Sequence, residues 1–296
     1  MNENEWLADR FEEQRGRLRA VAYRMLGSPA EAEDAVQEAW LRLSGAESSE
    51  VSNLGAWLTT VTARVCLNML RARRTRREQS FEAIMPDPVV VAAGQPQPEE
   101  EAVLADSVGL AMLVVLDTLT PAERLAFVLH DMFDVPFDEI AAMVGRSSVA
   151  TRQLASRARR RVRGANVREA DASPSRQREV VDAFFRAARA GDFDALVATL
   201  DPDVVLRADF SPRSVRASRV IQGAADVARA AQLGGRPGSV LHPALVNGEP
   251  GAVVTVRGRA TAVLGFVVVE GRIVEIDAFG DPERLGRVAA EFLAAR

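Results

Sequence analysis

Lysine is absent from this chain of 296 residues, cysteine and tyrosine occur once each, and histidine occurs twice. The single cysteine, Cys66, excludes an internal disulfide and a cysteine-built zinc site within one chain, and it reads as a buried thiol rather than a nucleophile. No run approaches the ~20 apolar residues that cross a bilayer. The first residues, MNENEWLADR, have neither the basic start nor the apolar core of a signal peptide, so a cytoplasmic protein without membrane contact is expected. Without lysine, all 37 basic charges fall on arginine, which suits GC-rich codons and also bidentate phosphate contacts.

What is present is a globular composition, 48% apolar, long enough for two or three domains. The net charge of -4 is unevenly distributed. Six arginines and no acid lie between Arg64 and Arg77, and eight arginines and no acid between Arg146 and Arg168. Local excesses of this kind are what phosphate binding requires.

Residues 11–43 read as two helices broken at Gly27-Ser28-Pro29, with Ser28 placed to cap and Pro29 at the first helical position. Ala35, Val36, Ala39, Trp40 and Leu43 recur at helical spacing and leave Asp34, Gln37, Glu38 and Arg42 on polar faces. A third helix from about Leu54 to Arg77 is apolar first and basic in its last two turns. Four prolines between Glu78 and Glu101 exclude a long helix there and mark a linker, although IMPDPVVV is too apolar for a purely solvated tether. A second helical unit follows to Arg163. In it Thr120 can cap a helix starting at Pro121, and a short apolar helix, Gly145 and a basic helix opened by Ser147 have the form of a helix-turn-helix.

On that last helix Leu154, Ala158 and Val162 can face the core, while Thr151, Arg152, Gln153 and Ser156 can point outward near the end that enters a major groove. Arg152 and Gln153 offer paired donors for base edges, and Arg157, Arg159, Arg160, Arg161 and Arg163 suit phosphates. A solvated helix end complementing its own dipole is the plain alternative, but five arginines in seven residues exceed that need. On the earlier helix Trp57, Thr60, Arg64 and Asn68 precede Arg71, Arg73, Arg74 and Arg77, a combination suited to unpaired bases; Trp57 serves equally as a core residue.

Beyond a second linker near 169–175 the pattern turns α+β. Helical AFFRAARAGDFDALVATL precedes the strand DVVLRA, a helix from about Ala224 to Gln232, the strand-like runs VLHPALV, AVVTVRGRA, AVLGFVVVE and RIVEIDAF with a hairpin at Glu270-Gly271, and a closing helix.

The motifs AYRMLGSPAEAEDAVQEAWLRL, AWLTTVTARVCLNML, LTPAERLAFVLHDMFDVPFDEIAAMVG and RQLASRARRRVR resemble regions 2 and 4 of the sigma-70 superfamily in the reduced plan of the extracytoplasmic-function group. The last 120 or so residues resemble the SnoaL-like, NTF2-type cone fused to the SigJ-like subgroup. The resemblance implies a multidomain fold: region 2 at 1–78, a linker at 79–102, region 4 at 103–168, both all-α, and an α+β cone at 176–296. It implies that core RNA polymerase and promoter DNA, duplex and melted, are the partners. Asp34, Gln37, Glu38 and Arg42 fall where the family meets the β′ clamp helices, and region 4 also engages the β flap. Trp57, Thr60, Arg64, Asn68, Arg71 and Arg74 fall at the minus-10 reader; Ser148, Thr151, Arg152, Gln153, Ser156, Arg157 and Arg160 at the minus-35 reader. No dedicated anti-sigma factor is deducible, and no cofactor or metal is expected.

Three short motifs bear on the cone's regulatory role. The family's WLPEP linker is degraded to IMPDP, Ile84, Met85, Pro86, Asp87 and Pro88; its DGGGR loop survives only at Asp209 and Arg213; its NPDKL motif becomes DPERL, Asp281 to Leu285. The expected contact runs between Ile84–Val91 and the DPERL corner, with Arg284 able to pair with Asp87. The rival reading, that the cone is a cyclase or isomerase, needs a pocket acid or base. The cone has no tyrosine and only His242, while Asp209 and Asp277 read more simply as strand-end or surface carboxylates, so no enzyme activity is expected.

Overall fold

A computed structural model of the chain describes residues 3–45, 53–77, 85–93, 109–165, 170–171, 173–210, 219–234 and 238–294. They fall into two compact units, one of 3–87 and 112–165, the other of 88–93, 109–111 and the residues from 170 on. No helix among the described residues is long and apolar enough to cross a membrane.

The first unit is all helical. Its elements are α1 (Glu3–Leu26), α2 (Pro29–Ser44), α3 (Leu54–Arg77), α4 (Leu110–Asp117, whose first two residues count with the second unit), α5 (Pro121–Phe127), α6 (Phe137–Val144) and α7 (Ser148–Gly164). The α1–α2 break falls at Gly27, φ 71, which an L side chain adopts only at a cost. Ser28 occupies the N-cap of α2 but its side chain makes no capping bond. Ala32, Ala35, Val36, Ala39 and Leu43 form the buried stripe of α2, and the half-buried Trp40 packs its ring on Phe11 at 5.0 Å. Thr120 and Glu123 close a reciprocal capping box on α5, which runs on into a π turn, Val128–Met132. Gly145 ends α6 in the left-handed region at φ 68 and Ser147 caps α7 by accepting from the Ala150 amide at 3.2 Å, so the turn of the helix-turn-helix is built from its own residues.

Helices from before and after the linker share this unit. The Arg124 guanidinium, only 2% exposed, donates to the Arg24 carbonyl at 3.0 Å and pairs with Asp117 at 3.1 Å. Arg24 lies over the Phe133 ring at 4.7 Å, and burial lowers its own pKa to about 10.

The second unit is a seven-stranded sheet in the order β1-β4-β5-β6-β7-β2-β3. The strands are β1 (Val90–Ala92), β2 (Leu200–Asp209), β3 (Arg219–Gln222), β4 (Ser239–Val246), β5 (Glu249–Val256), β6 (Arg259–Val269) and β7 (Arg272–Phe279). All pair antiparallel except β2 with β7. Helices α8 (Pro174–Ala190), α9 (Phe193–Thr199) and α10 (Ala224–Gly234) supply Phe184, Leu196 and Val227 to a core on one face, against Phe266 and Ile276. The other core gathers Val246, Val253, Val263 and Phe279 with Leu285 of α11 (Pro282–Val288) and Phe292 of α12 (Ala290–Ala294).

The run AVVTVRGRA, expected as one strand, breaks at Arg257-Gly258, φ 51 and 76, into a hairpin between β5 and β6. Asn247-Gly248 makes the same turn before it, and the expected Glu270-Gly271 turn after it has φ 52 and 74. Asp171 locks that last turn by accepting from the amides of Glu270 and Gly271 at 2.8 and 3.0 Å, bonds that hold its carboxyl below the usual range. A strand within the linker, β1, was not foreseen.

Candidate nucleic-acid interface and fused cone

On α7, Arg152, Gln153, Ser156, Arg157 and Arg160 are exposed, whereas Leu154, Ala155 and Ala158 are buried. Thr151 corrects the expected outward set. It is fully buried and its hydroxyl donates to the Ser147 carbonyl at 3.0 Å, because at this position the helix turns its side toward the core. Ser148 is half-buried and donates to Asp138, so it braces the turn. The outward position that the sequence reading missed is Val149, 63% exposed one turn before Arg152 and Gln153; an apolar residue flanking a core stripe gave no signal. The Arg152 guanidinium sits 5.5 Å from the Phe137 ring, which orients it.

The arginines of this helix divide. Arg157 and Arg161 pair with Glu123 at 3.3 and 2.7 Å, and Arg159 with Asp131 at 2.5 Å. Burial pushes the Glu123 carboxyl up, but the Thr120 hydroxyl and amide, Arg161 and Arg157 outweigh it and hold the pKa below its ordinary value. Arg160 and Arg163 are exposed and form no ion pair among the described residues.

On α3 Arg64, Asn68, Arg71 and Arg74 are exposed, as are Ala72 and Thr75, with Trp57 and Thr60 half-buried, and the spacing from Trp57 to Arg74 brings one turn after another to the same side. Thr60 back-bonds to the Ala56 carbonyl at 2.9 Å. Arg73 leaves the expected cationic strip: it donates to the Leu26 carbonyl at 3.0 Å and pairs with Glu31. The side chain of Arg77 lies outside those described. Arg64 reaches the Ala142 carbonyl of α6 at 3.4 Å, so the two candidate readers touch. Behind the stripe Cys66 is fully buried, and burial pushes its thiol up to about 12 against the charge of Arg124, which leaves it unreactive at neutral pH.

Asp34, Gln37 and Arg42 are exposed on α2 with Glu38 half-exposed, and Arg42 pairs with Glu38 at 3.0 Å. Leu41, 63% exposed, belongs to the same surface and was missed.

In the second unit Asp209 accepts from Arg284 at 3.1 Å, joining the ends of two of the short motifs. Asp281 caps α11 by accepting from the amides of Glu283 and Arg284 at 3.0 Å. Val90 and Ala92 join the cluster that contains Leu285, and Asn247 exchanges bonds with Val89 at 2.8 and 2.9 Å. Met85, Pro86 and Asp87 count with the first unit. There the Asp87 amide donates to Gly27 at 2.7 Å and the Tyr23 hydroxyl to the Asp87 carbonyl at 3.0 Å. Ile84 and Arg213 lie outside the described residues. Asp209 stands at the end of β2, as a strand-end carboxylate was expected to, and is 8% exposed beside Arg284; Asp277, expected at a strand end or the surface, lies within β7 and is 3% exposed beside Arg207.

A helix-turn-helix with an outward basic helix, and a second helix carrying a stripe from tryptophan to arginine, are two candidate nucleic-acid readers. Residues 11–76 match the family sigma-70 region 2, and residues 110–162 match sigma-70, region 4. The ECF RNA polymerase sigma factor SigJ of Mycobacterium tuberculosis is 37% identical over 286 residues, 93% of this chain and 91% of SigJ. The probable ECF RNA polymerase sigma factor SigI of the same species is 32% identical over 292 residues, 98% of this chain and 99% of SigI. The crystal structure of M. tuberculosis SigJ superposes with a TM-score of 0.73 at 35% identity, covering 94% and 97% of the two chains. The chain belongs to the extracytoplasmic-function RNA polymerase sigma factors, and its C-terminal unit is the seven-stranded α+β unit described above.

Proposed function

We propose that this cytoplasmic sigma factor binds core RNA polymerase through the α2 surface and the β flap through region 4, and brings it to two-part promoters. In this reading α7 enters the major groove of the minus-35 element and α3 holds the melted minus-10 strand. The observation that carries the reading is the exposed stripe Arg152, Gln153, Ser156, Arg157 and Arg160 on the helix that Gly145 and Ser147 present. The contact of Arg64 with Ala142 supports weak binding of duplex DNA by the isolated protein, since the readers must part to span a promoter.

The cone is read as a control element rather than a catalyst. Asp277 alternates along β7 with Ile276 and Ala278, so its carboxylate faces away from the apolar cavity those two residues line. Reconstituted transcription with core polymerase on a genomic fragment library, with start sites sequenced, tests the reading. A defined promoter set is expected, and no promoter-dependent product would overturn it.

A further inference from the structure

The concave face of the sheet closes over a cavity of about 670 Å³, within the range of ~300–1,000 Å³ typical of small-molecule sites. Phe184 and Phe185 of α8, Leu206 of β2, Leu264 and Phe266 of β6 and Ile276 of β7 form its walls. The three rings meet edge to face, Phe266 lying 5.5 and 5.3 Å from Phe184 and Phe185, which fixes them as a preformed apolar surface. Phe210 adds a further wall. Its ring lies against Gly280, where any β-carbon would collide with it, so the absent side chain at 280 gives the ring its place.

The polar side chains of the lining are few: Arg189, Arg219 and the hydroxyls of Ser239 and Thr261. Among the described residues no Asp, Glu or His lines the cavity, and the Thr261 hydroxyl is already engaged with the Val254 carbonyl at 3.2 Å. Arg189 and Arg219 also line it, both exposed to solvent and neither in an ion pair among the described residues. An apolar interior with an exposed pair of cations and no carboxylate is complementary to one ligand class. A sugar or nucleotide would leave its polar groups without partners inside, and a hydrocarbon would leave the arginines unused.

We infer that the cone binds an amphipathic monocarboxylic acid, its apolar body within the cavity and its carboxylate against Arg189 and Arg219. The site makes the fused domain a receptor for a small acid, which goes beyond promoter recognition and does not depend on it.

Decanoate and decanol, titrated calorimetrically into the full-length chain, test the site without polymerase, so its failure and that of the promoter reading are separable. Saturable binding of decanoate is expected, with a negative heat-capacity change from apolar burial. Decanol should bind about three- to tenfold more weakly, a modest factor because the cations are exposed, and the difference should shrink at high salt. Arg189→Gln with Arg219→Gln should erase the preference and leave decanol binding unchanged. Ala262→Phe, on the lining of β6, should block both ligands while circular dichroism stays as in the parent chain. Absence of saturable decanoate binding, equal binding of acid and alcohol, or a preference that survives loss of both arginines would overturn the proposal. The rim variants decide it even if Ala262→Phe does not fold.

Discussion

Arg284 donates to Asp209 at 3.1 Å, tying the first turn of α11 to the end of β2, with side chains only 16% and 12% exposed. The same guanidinium lies 4.7 Å from the Phe279 ring, so one side chain serves a charge and an aromatic face. Arg284→Ala should destabilise the C-terminal unit by about 1–3 kcal/mol. A double-mutant cycle with Asp209→Asn, read by urea unfolding, should show coupling well above that of a surface pair. Simple additivity would mean that the pair contributes no interaction of its own.

Asp277 should make the cone respond to acid in the opposite sense from most carboxylates. Burial pushes its carboxyl up from 3.8 to about 6, opposed by Arg207. Above pH 6 both folded and unfolded states are ionised and the buried charge costs stability. As pH falls from about 6 toward 3.8 the folded state takes up a proton first, and the cost is relieved. Asp277→Asn should therefore be more stable than the parent at pH 7, by on the order of 1–3 kcal/mol, with the difference fading by about pH 4. Hydrogen exchange of the β7 amides reads this difference.

Base readers and phosphate anchors should separate on α7. Arg152→Ala or Gln153→Ala should change which minus-35 bases are tolerated, by about 1–3 kcal/mol per lost base contact. Arg160→Ala should weaken all sequences alike. Transcription from a randomised minus-35 library measures both, and equal loss from all three would mean that the helix docks differently.

Glu123 restrains two of the helix's arginines and completes the α5 cap. Glu123→Ala should cost the first unit about 1–3 kcal/mol at pH 7. Because its folded-state pKa is lowered, the Glu123 contribution is present above 4.5 and disappears as pH falls through the lowered value, so parent and variant should converge in acid. Arg157 and Arg161, released from Glu123, should steepen the salt dependence of non-specific DNA binding by about one to two units.

Asn247 holds the arriving linker. Asn247→Ala removes the acceptor for the Val89 amide and should loosen β1, raising hydrogen exchange at residues 89–92 by about tenfold. If the linker carries the cone's control over the readers, promoter output should change with it. Loosening without a change in transcription would restrict the linker to a structural role.

The local devices were written in the chain. Gly27 before Ser28-Pro29, the Thr120 cap before Pro121, Gly145 with Ser147, and the turn at Glu270-Gly271 depend on backbone preferences and on hydrogen bonds within a few residues, so spacing alone located them. Most of the outward side of α7 followed from its period; Val149 was missed, Ser148 is held by Asp138, and Thr151 is buried because its hydroxyl satisfies itself on the preceding turn. What only the tertiary structure decided is what lies between distant segments. Arg73 is spent on Leu26 and Glu31, Arg124 on Arg24, and Arg284 on Asp209, although each reads in sequence as one more surface arginine. The linker strand at Val90 was illegible because three residues carry no period of their own; its place comes from an open sheet edge beside Val246. The cavity has the same origin, since apolar residues spread from Phe184 to Ala278 mark a core in sequence, and only sheet curvature decides whether that core is filled.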